Sequence, residues 1–189
     1  LQYLRRPAIV ASFFGDGATE EGVFAESLNF AALKRLPILF ICENNRYAIH
    51  THQSRRQATP DLCARVRAYG IPTERIDNND VLDLYERVQT AAAQVRGGTG
   101  PWFFEVLTYR WREHVGPNCD FHLGFRAADE AQPWVEGDQV ERLARMIQPQ
   151  QKAQIEAEVE AEVADAFVFA EESPLPPAEE LYFDVFKEN

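Results

Sequence analysis

Residues 7–45 read PAIVASFFGDGATEEGVFAESLNFAALKRLPILFICENN, and the fold is decided in that stretch. Two short, nearly continuous apolar runs, 7–14 and 37–43, enclose a segment of helical period. Runs of this kind suit strands covered on both faces, as in a parallel sheet. Between them Phe24, Leu28, Ala31 and Ala32 fall on one stripe, which predicts a helix over 20–36. Glu20 and Glu21 would lie in its first turn, where carboxylates suit the helix dipole. The alternation continues outward: a short helix over 60–69 stopped by Gly70, a weaker strand over 71–77, and a helix capped by Asp80 that ends at Gly97-Gly98. A third apolar strand follows over 102–109. Strand and helix in alternation predict an α/β fold built on a partial doubly wound parallel sheet.

After Arg126 the character changes. Residues 136–147 read as a helix, Pro149 interrupts, and 150–171 read as a long helix. There Ile155, Val159, Val163 and Phe167 recur every four residues among Glu156, Glu158, Glu160, Glu162 and Asp165. A charged helix with one narrow apolar stripe is expected to dock on a surface along that stripe. The tail, 173–189, reads as an extended segment with apolar anchors at Leu181, Tyr182 and Phe183. The expected organisation is therefore an α/β domain over 1–128, helices over 129–172 and a tail over 173–189.

The whole chain has 189 residues, 30 of them Asp or Glu against 19 Lys or Arg, for a formal charge of −11. That balance disfavours wrapping nucleic acid or coating an anionic membrane, because phosphates would be repelled. The acidity is C-terminal: 1–128 hold 15 bases and 14 acids, 129–189 hold 4 bases and 16 acids. Cys42, Cys63 and Cys119 form no CxxC pair, which suggests a reducing compartment, read here as the cytoplasm, and no structural zinc. No apolar run reaches membrane-spanning length. The chain starts at Leu1 close to a buried-looking strand, so its natural start is expected upstream.

Two motifs carry chemistry. The first is Gly15-Asp16-Gly17-Ala18-Thr19-Glu20-Glu21-Gly22, a strand end leading into a helix. Gly15 and Gly17 permit a tight turn and close approach, and amides at the helix start suit a phosphate. The Asp16 carboxylate would repel that phosphate unless a divalent cation bridges the two; magnesium, a hard ion partly held by phosphate oxygens, fits. The second motif, Glu43-Asn44-Asn45-Arg46-Tyr47, follows the next strand and offers a side-chain amide oxygen and a main-chain carbonyl as further ligands. A dinucleotide fingerprint wants glycine where Glu20 stands, and a P-loop wants Gly-Lys-Ser/Thr, which is absent.

Gly-Asp-Gly followed by Asn-Asn, with Asp16 and Asn45 29 residues apart, resembles the thiamine-diphosphate motif. The text GDGATEEGVFAESLNFAALKRLPILFICENNRYAI, continued through residues 108–114 (TYRWREH), resembles the alpha subunit of the thiamine-dependent first component of 2-oxo acid dehydrogenase complexes. That group spans the pyruvate, branched-chain 2-oxo acid and acetoin dehydrogenases. The resemblance implies that Asp16, the Asn45 side chain and the Tyr47 main-chain carbonyl hold Mg2+. It implies that the Gly17 and Ala18 amides contact the diphosphate, and that His114 lines the active site, helps fix the cofactor and assists near the reactive carbon. It further implies thiamine diphosphate as cofactor, a beta subunit that supplies the pyrimidine-side glutamate, a two-alpha, two-beta assembly and acyl transfer to a lipoyl acyltransferase. The substrate would be a 2-oxo acid, pyruvate or a branched-chain one, decarboxylated oxidatively.

Two departures matter. Phosphorylation-regulated members carry serine after the loop histidine, where this chain has Val115. The family's upstream region, with a Tyr-Arg pair for the diphosphate, does not precede Leu1, so this length of chain alone is expected to be incomplete. His50 and His52 read equally as substrate-facing or solvated, His122 as a surface residue, and Arg110, Arg112 and Arg126 as anion ligands or as partners of the chain's own acids. An acetoin-type or biosynthetic relative, a non-catalytic structural subunit and, third, a nucleotide-binding Rossmann protein remain the alternatives.

Overall fold

A computed structural model describes residues 8–183 of the chain; Pro7, at the head of the first apolar run, and residues 184–189 of the expected tail lie outside them. Strand β1, Val10–Gly15, runs into a 3-10 turn, Asp16–Glu20, and helix α1, Gly22–Lys34. Next come β2, Ile38–Asn44, and a two-rung antiparallel hairpin of β3, Tyr47–Ala48, and β4, Thr51–His52. Helix α2, Leu62–Arg67, β5, Thr73–Ile76, α3, Val81–Arg96, and β6, Trp102–Leu107, complete the alternation. Helices α4, Ala128–Glu136, α5, Gln139–Ala144, and α6, Pro149–Glu172, follow.

The four-stranded sheet has the order β1-β2-β6-β5 and is parallel throughout. Successive side chains of each strand point to opposite faces, and the two faces are covered by different helices. On one, Phe40, Cys42 and Phe103 pack with Leu28 and Ala31 of α1 and Leu62 and Val66 of α2. On the other, Leu39, Ile41 and Phe104 pack with Ala91, Ala92 and Val95 of α3. Helices on both faces of a parallel sheet are the doubly wound arrangement the apolar runs predict. Asp80 caps α3 as expected, its Oδ1 accepting from Leu82 N at 3.0 Å.

Two expectations are corrected. Glu20 and Glu21 do not form the first turn of α1: Glu20 closes the 3-10 turn and Glu21 is the extended N-cap. The reason is local, since Thr19 Oγ1 donates to Asp16 O at 2.7 Å and keeps the chain in the tighter turn. The helix expected over 136–147 is the shorter α5, Gln139–Ala144, and an additional helix, α4, ends where the expected one was to start. Pro133 inside α4 removes one helical hydrogen bond, but the packing of that helix outweighs the loss: Ala131 is buried, Tyr47 Oη donates to Glu130, and Tyr109 stacks on Trp134. No residue of α6 is buried, and Ile155, Val159, Val163 and Phe167 are all exposed. A capping box at Gln148 and Gln151 and i,i+4 pairs such as Lys152–Glu156 support the helix. The chain divides after Gln139 into two units, Leu1–Gln139 and Val140–Asn189. Among the described residues no helix is long and apolar enough to cross a membrane.

Candidate functional site

Gly15 at the end of β1 lies opposite Glu43 near the end of β2, so both motif loops leave the sheet at its C-terminal edge, side by side. That edge is where open α/β sheets bind ligands. The loops touch: a Cβ on Gly17 would sit 2.9 Å from the Ala48 Cβ of the hairpin, nearer than real Cβ atoms come. Glycine at 17 is thus required by the second loop's approach, whereas Gly15 has open space about it.

The paired asparagines divide the work. Asn44 points inward and is buried; its Nδ2 donates to Glu105 Oε1 at 2.8 Å and to Gln53 Oε1 at 3.4 Å. Its Oδ1 accepts from Arg46 N at 2.9 Å, which helps seat Arg46 in the left-handed region at φ 68°. Asn45 Oδ1 accepts from Tyr47 N at 2.9 Å and keeps a second lone pair. Asp16 is 1% exposed. Asp16, the Asn45 amide oxygen and the Tyr47 carbonyl offer oxygen donors alone, the chemistry that suits a hard dication. Among the described residues no three His, Cys, Asp or Glu gather to hold a metal. A metal at this edge therefore depends on the amide and carbonyl oxygens, and the residues present fit magnesium rather than zinc.

Sequence reading missed the other side of the site. Arg56 forms ion pairs with Asp16 through Nη2 and with Glu20 through Nη1, while its Nε donates to Thr51 O at 2.9 Å. Gln57 Nε2 reaches Glu20 Oε1 at 2.9 Å, Thr19 Oγ1 at 3.1 Å and Asp16 O at 3.4 Å. Gln53 Nε2 donates to Gln57 Oε1 at 2.9 Å. A polar chain therefore runs Glu105–Asn44–Gln53–Gln57 and ends on the Asp16 loop. The segment Gln53-Ser-Arg-Arg-Gln57 carries no motif that foretells this; only its run of polar residues after the second loop hints at a role.

The third loop, after β6, is organised by Arg126. Its buried guanidinium pairs with Asp120 (Nη2 2.5 Å, Nε 3.1 Å from Oδ1), donates to the carbonyls of Arg110 and Arg112, and lies over the rings of Tyr109, Phe121 and Phe125. Arg126 is thus a partner of the chain's own acid. Arg110 Nη2 donates to Ile49 O at 3.0 Å, while Nε and Nη1 are buried without a partner. Burial, followed by the nearby Arg126 charge, lowers the Arg110 pKa. Among the described residues the Arg112 guanidinium reaches the Cys119 sulfur, at 3.8 Å. His114, Val115 and His122 are exposed. His50 lies 4.5 Å, ring to ring, from Phe125, and His52 Nδ1 is 2.8 Å from Ser54 Oγ. Both histidines line a cleft of about 510 Å³ with Tyr47, Arg55 and Phe125. The Tyr47 phenol is pushed up in pKa by burial and then by its bond to Glu130.

Residues 1–179 match the family model described as the dehydrogenase E1 component. The chain is similar to the pyruvate dehydrogenase E1 component subunit alpha of Porphyra purpurea, 34% identical over 197 residues that cover 100% of this chain and 56% of that protein. It is similar to the protein of the same description from Rhizobium meliloti, 36% identical, covering 97% and 54% respectively. The 3-methyl-2-oxobutanoate dehydrogenase subunit alpha of Mycobacterium tuberculosis is 38% identical over 149 residues, covering 79% of this chain and 40% of that one. The chain spans about half the length of the curated relatives it matches.

Proposed function

The chain belongs to the dehydrogenase E1 component family, and on that premise we propose that it is the alpha-subunit part of a 2-oxo acid dehydrogenase that decarboxylates pyruvate or a branched-chain 2-oxo acid. The observation that carries the reading is the meeting of the Asp16 and Asn45 loops at one sheet edge, with Gly17 pressed against Ala48. When bound, thiamine diphosphate supplies the deprotonated thiazolium carbon that adds to a ketone and takes up the electron pair left by carbon dioxide.

The protein's share is to hold and orient. Asp16, Asn45 Oδ1 and the Tyr47 carbonyl would hold Mg2+, and the Gly17 and Ala18 amides would bind the diphosphate. Asp16 is buried, so its carboxylate meets the metal in a medium where the attraction is weakly screened. The Glu105–Asn44–Gln53–Gln57 chain keeps the second loop against the first and so supports both motif loops at one sheet edge. His114, on the third loop, would assist near the reacting carbon. A beta subunit supplies the glutamate that faces the pyrimidine, and a lipoyl acyltransferase takes the acyl group.

The test is calorimetric titration of thiamine diphosphate into the natural full-length protein with its beta subunit, with magnesium, with chelator, and with Asp16→Ala. Binding that requires both magnesium and Asp16 is expected. Metal-independent binding, or none in the complete assembly, rejects the reading.

A further inference from the structure

We propose that Arg56 is the resident cation of Asp16, and that a divalent metal and the Arg56 guanidinium compete for that one carboxylate. The inference rests on the reading of Asp16 as a metal ligand and adds what holds the carboxylate before the metal arrives. Asp16 is 1% exposed, and an ionised carboxylate so buried needs a counter-charge. Arg56 provides it: its side chain is 9% exposed and it is bonded to Asp16 Oδ2 through Nη2. A dication on the same carboxylate would stand against a fixed positive group within a few ångströms, in surroundings that screen poorly. Both cannot hold Asp16 at full strength.

The geometry also gives Arg56 somewhere to go. Its Nη1 is already paired with Glu20, which is 32% exposed, and its Nε is tied to Thr51 O. Letting go of Asp16 therefore leaves the guanidinium anchored at two of its three points. Gln57 holds the same Glu20 oxygen at 2.9 Å and keeps that acceptor in place during the exchange. Among the described residues the other cation bonded to this loop, Arg65, donates to the Thr19 carbonyl at 2.7 Å and not to Asp16. The swap is thus confined to one side chain. Its consequence is an apo state with a neutralised, ordered Asp16 and a metal affinity lowered by the arginine.

The test is titration with Mn2+ alone, read by the electron paramagnetic resonance of the unbound ion, on the natural full-length protein with its beta subunit and no cofactor. Arg56→Gln is expected to bind Mn2+ at least tenfold more tightly than the unchanged protein. Arg56→Lys, which keeps the charge, is expected within about threefold of it, and Asp16→Asn is expected to lose the binding. If Asp16→Asn loses binding while Arg56→Gln gains none, the competition is wrong and the metal site stands. If Asp16→Asn binds as the unchanged protein does, or no protein binds, the metal reading fails and takes this inference with it. A second measurement needs no variant: phenylglyoxal modification of Arg56, mapped by mass spectrometry, is expected to speed up at least threefold at saturating Mn2+. An unchanged rate overturns the proposal even if Arg56→Gln does not fold.

Discussion

The loops after β1 and β2 and the loop after β6 stand at the same edge of the sheet but are built by opposite means. The first two are locked to each other by a van der Waals contact at Gly17 and a chain of amide hydrogen bonds, with Asp16, Thr19 and Asn44 all buried. The third is organised at its base by the buried Arg126, which pairs with Asp120 and donates to the Arg110 and Arg112 carbonyls, and its tip is closed by Glu113–Asn118 hydrogen bonds that leave His114 and Val115 exposed. The difference separates two tasks. An anchor for a charged group works best when its oxygens are fixed before binding, because no reorganisation then offsets the attraction. On the proposed reading His114 approaches a reacting carbon, and its exposed side chain leaves it unpacked for that task.

The largest expected effect that sharpens this contrast comes from Asp120→Ala. It leaves the buried Arg126 guanidinium without its carboxylate and should lower stability by about 3–5 kcal/mol, read as the denaturation midpoint. A loss below about 1 kcal/mol would mean that the third loop has no anchor. Gly17→Ala comes next, at about 1–3 kcal/mol, because the new methyl must push Ala48 away. The added change Ala48→Gly should recover most of that loss; if it does not, the two loops are not packed as described.

A smaller effect is expected in alkali. Burial pushes the Cys63 thiol up to about 11 from an ordinary 9.0. The folded chain then keeps the proton that the unfolded chain releases. The stability this confers is complete below pH 9 and declines as the pH rises toward about 11. The slope of the denaturation midpoint over that window should flatten in Cys63→Ala. Iodoacetamide at neutral pH should label the exposed Cys119 and spare the buried Cys42 and Cys63. The smallest effect on stability belongs to His114→Ala, which touches an exposed side chain and should leave the midpoint unchanged. Decarboxylation by the complete assembly should nevertheless drop about a hundredfold, the scale of a proton-transfer group. A shifted midpoint would show that His114 braces the loop.

Much of the anchor could be read from residues alone. Gly17 and Asp16 stand where their motif puts them, and the 29-residue interval to Asn45 brings the second loop beside the first because one helix and one strand separate them. Arg56 could not be read: it lies 40 residues from Asp16, in a loop whose path is set by the Tyr47–His52 hairpin. Nor was the split between Asn44 and Asn45 legible. Which one turns inward depends on Glu105, 61 residues further along the chain, waiting in the core.

Residue order along the chain was enough to read the alternation of strands and helices, the cap of α3 at Asp80, the placement of the two motif loops and the family. These follow from local periodicity, backbone preference and the order of a few residue types along the chain. Tertiary structure alone decided that β6 inserts between β2 and β5, that α4 persists through Pro133, that Arg126 serves Asp120 and that Arg56 guards Asp16. Each of those outcomes is an agreement between distant segments over one buried space. The energy that settles such an agreement resides in contacts that no stretch of sequence contains by itself.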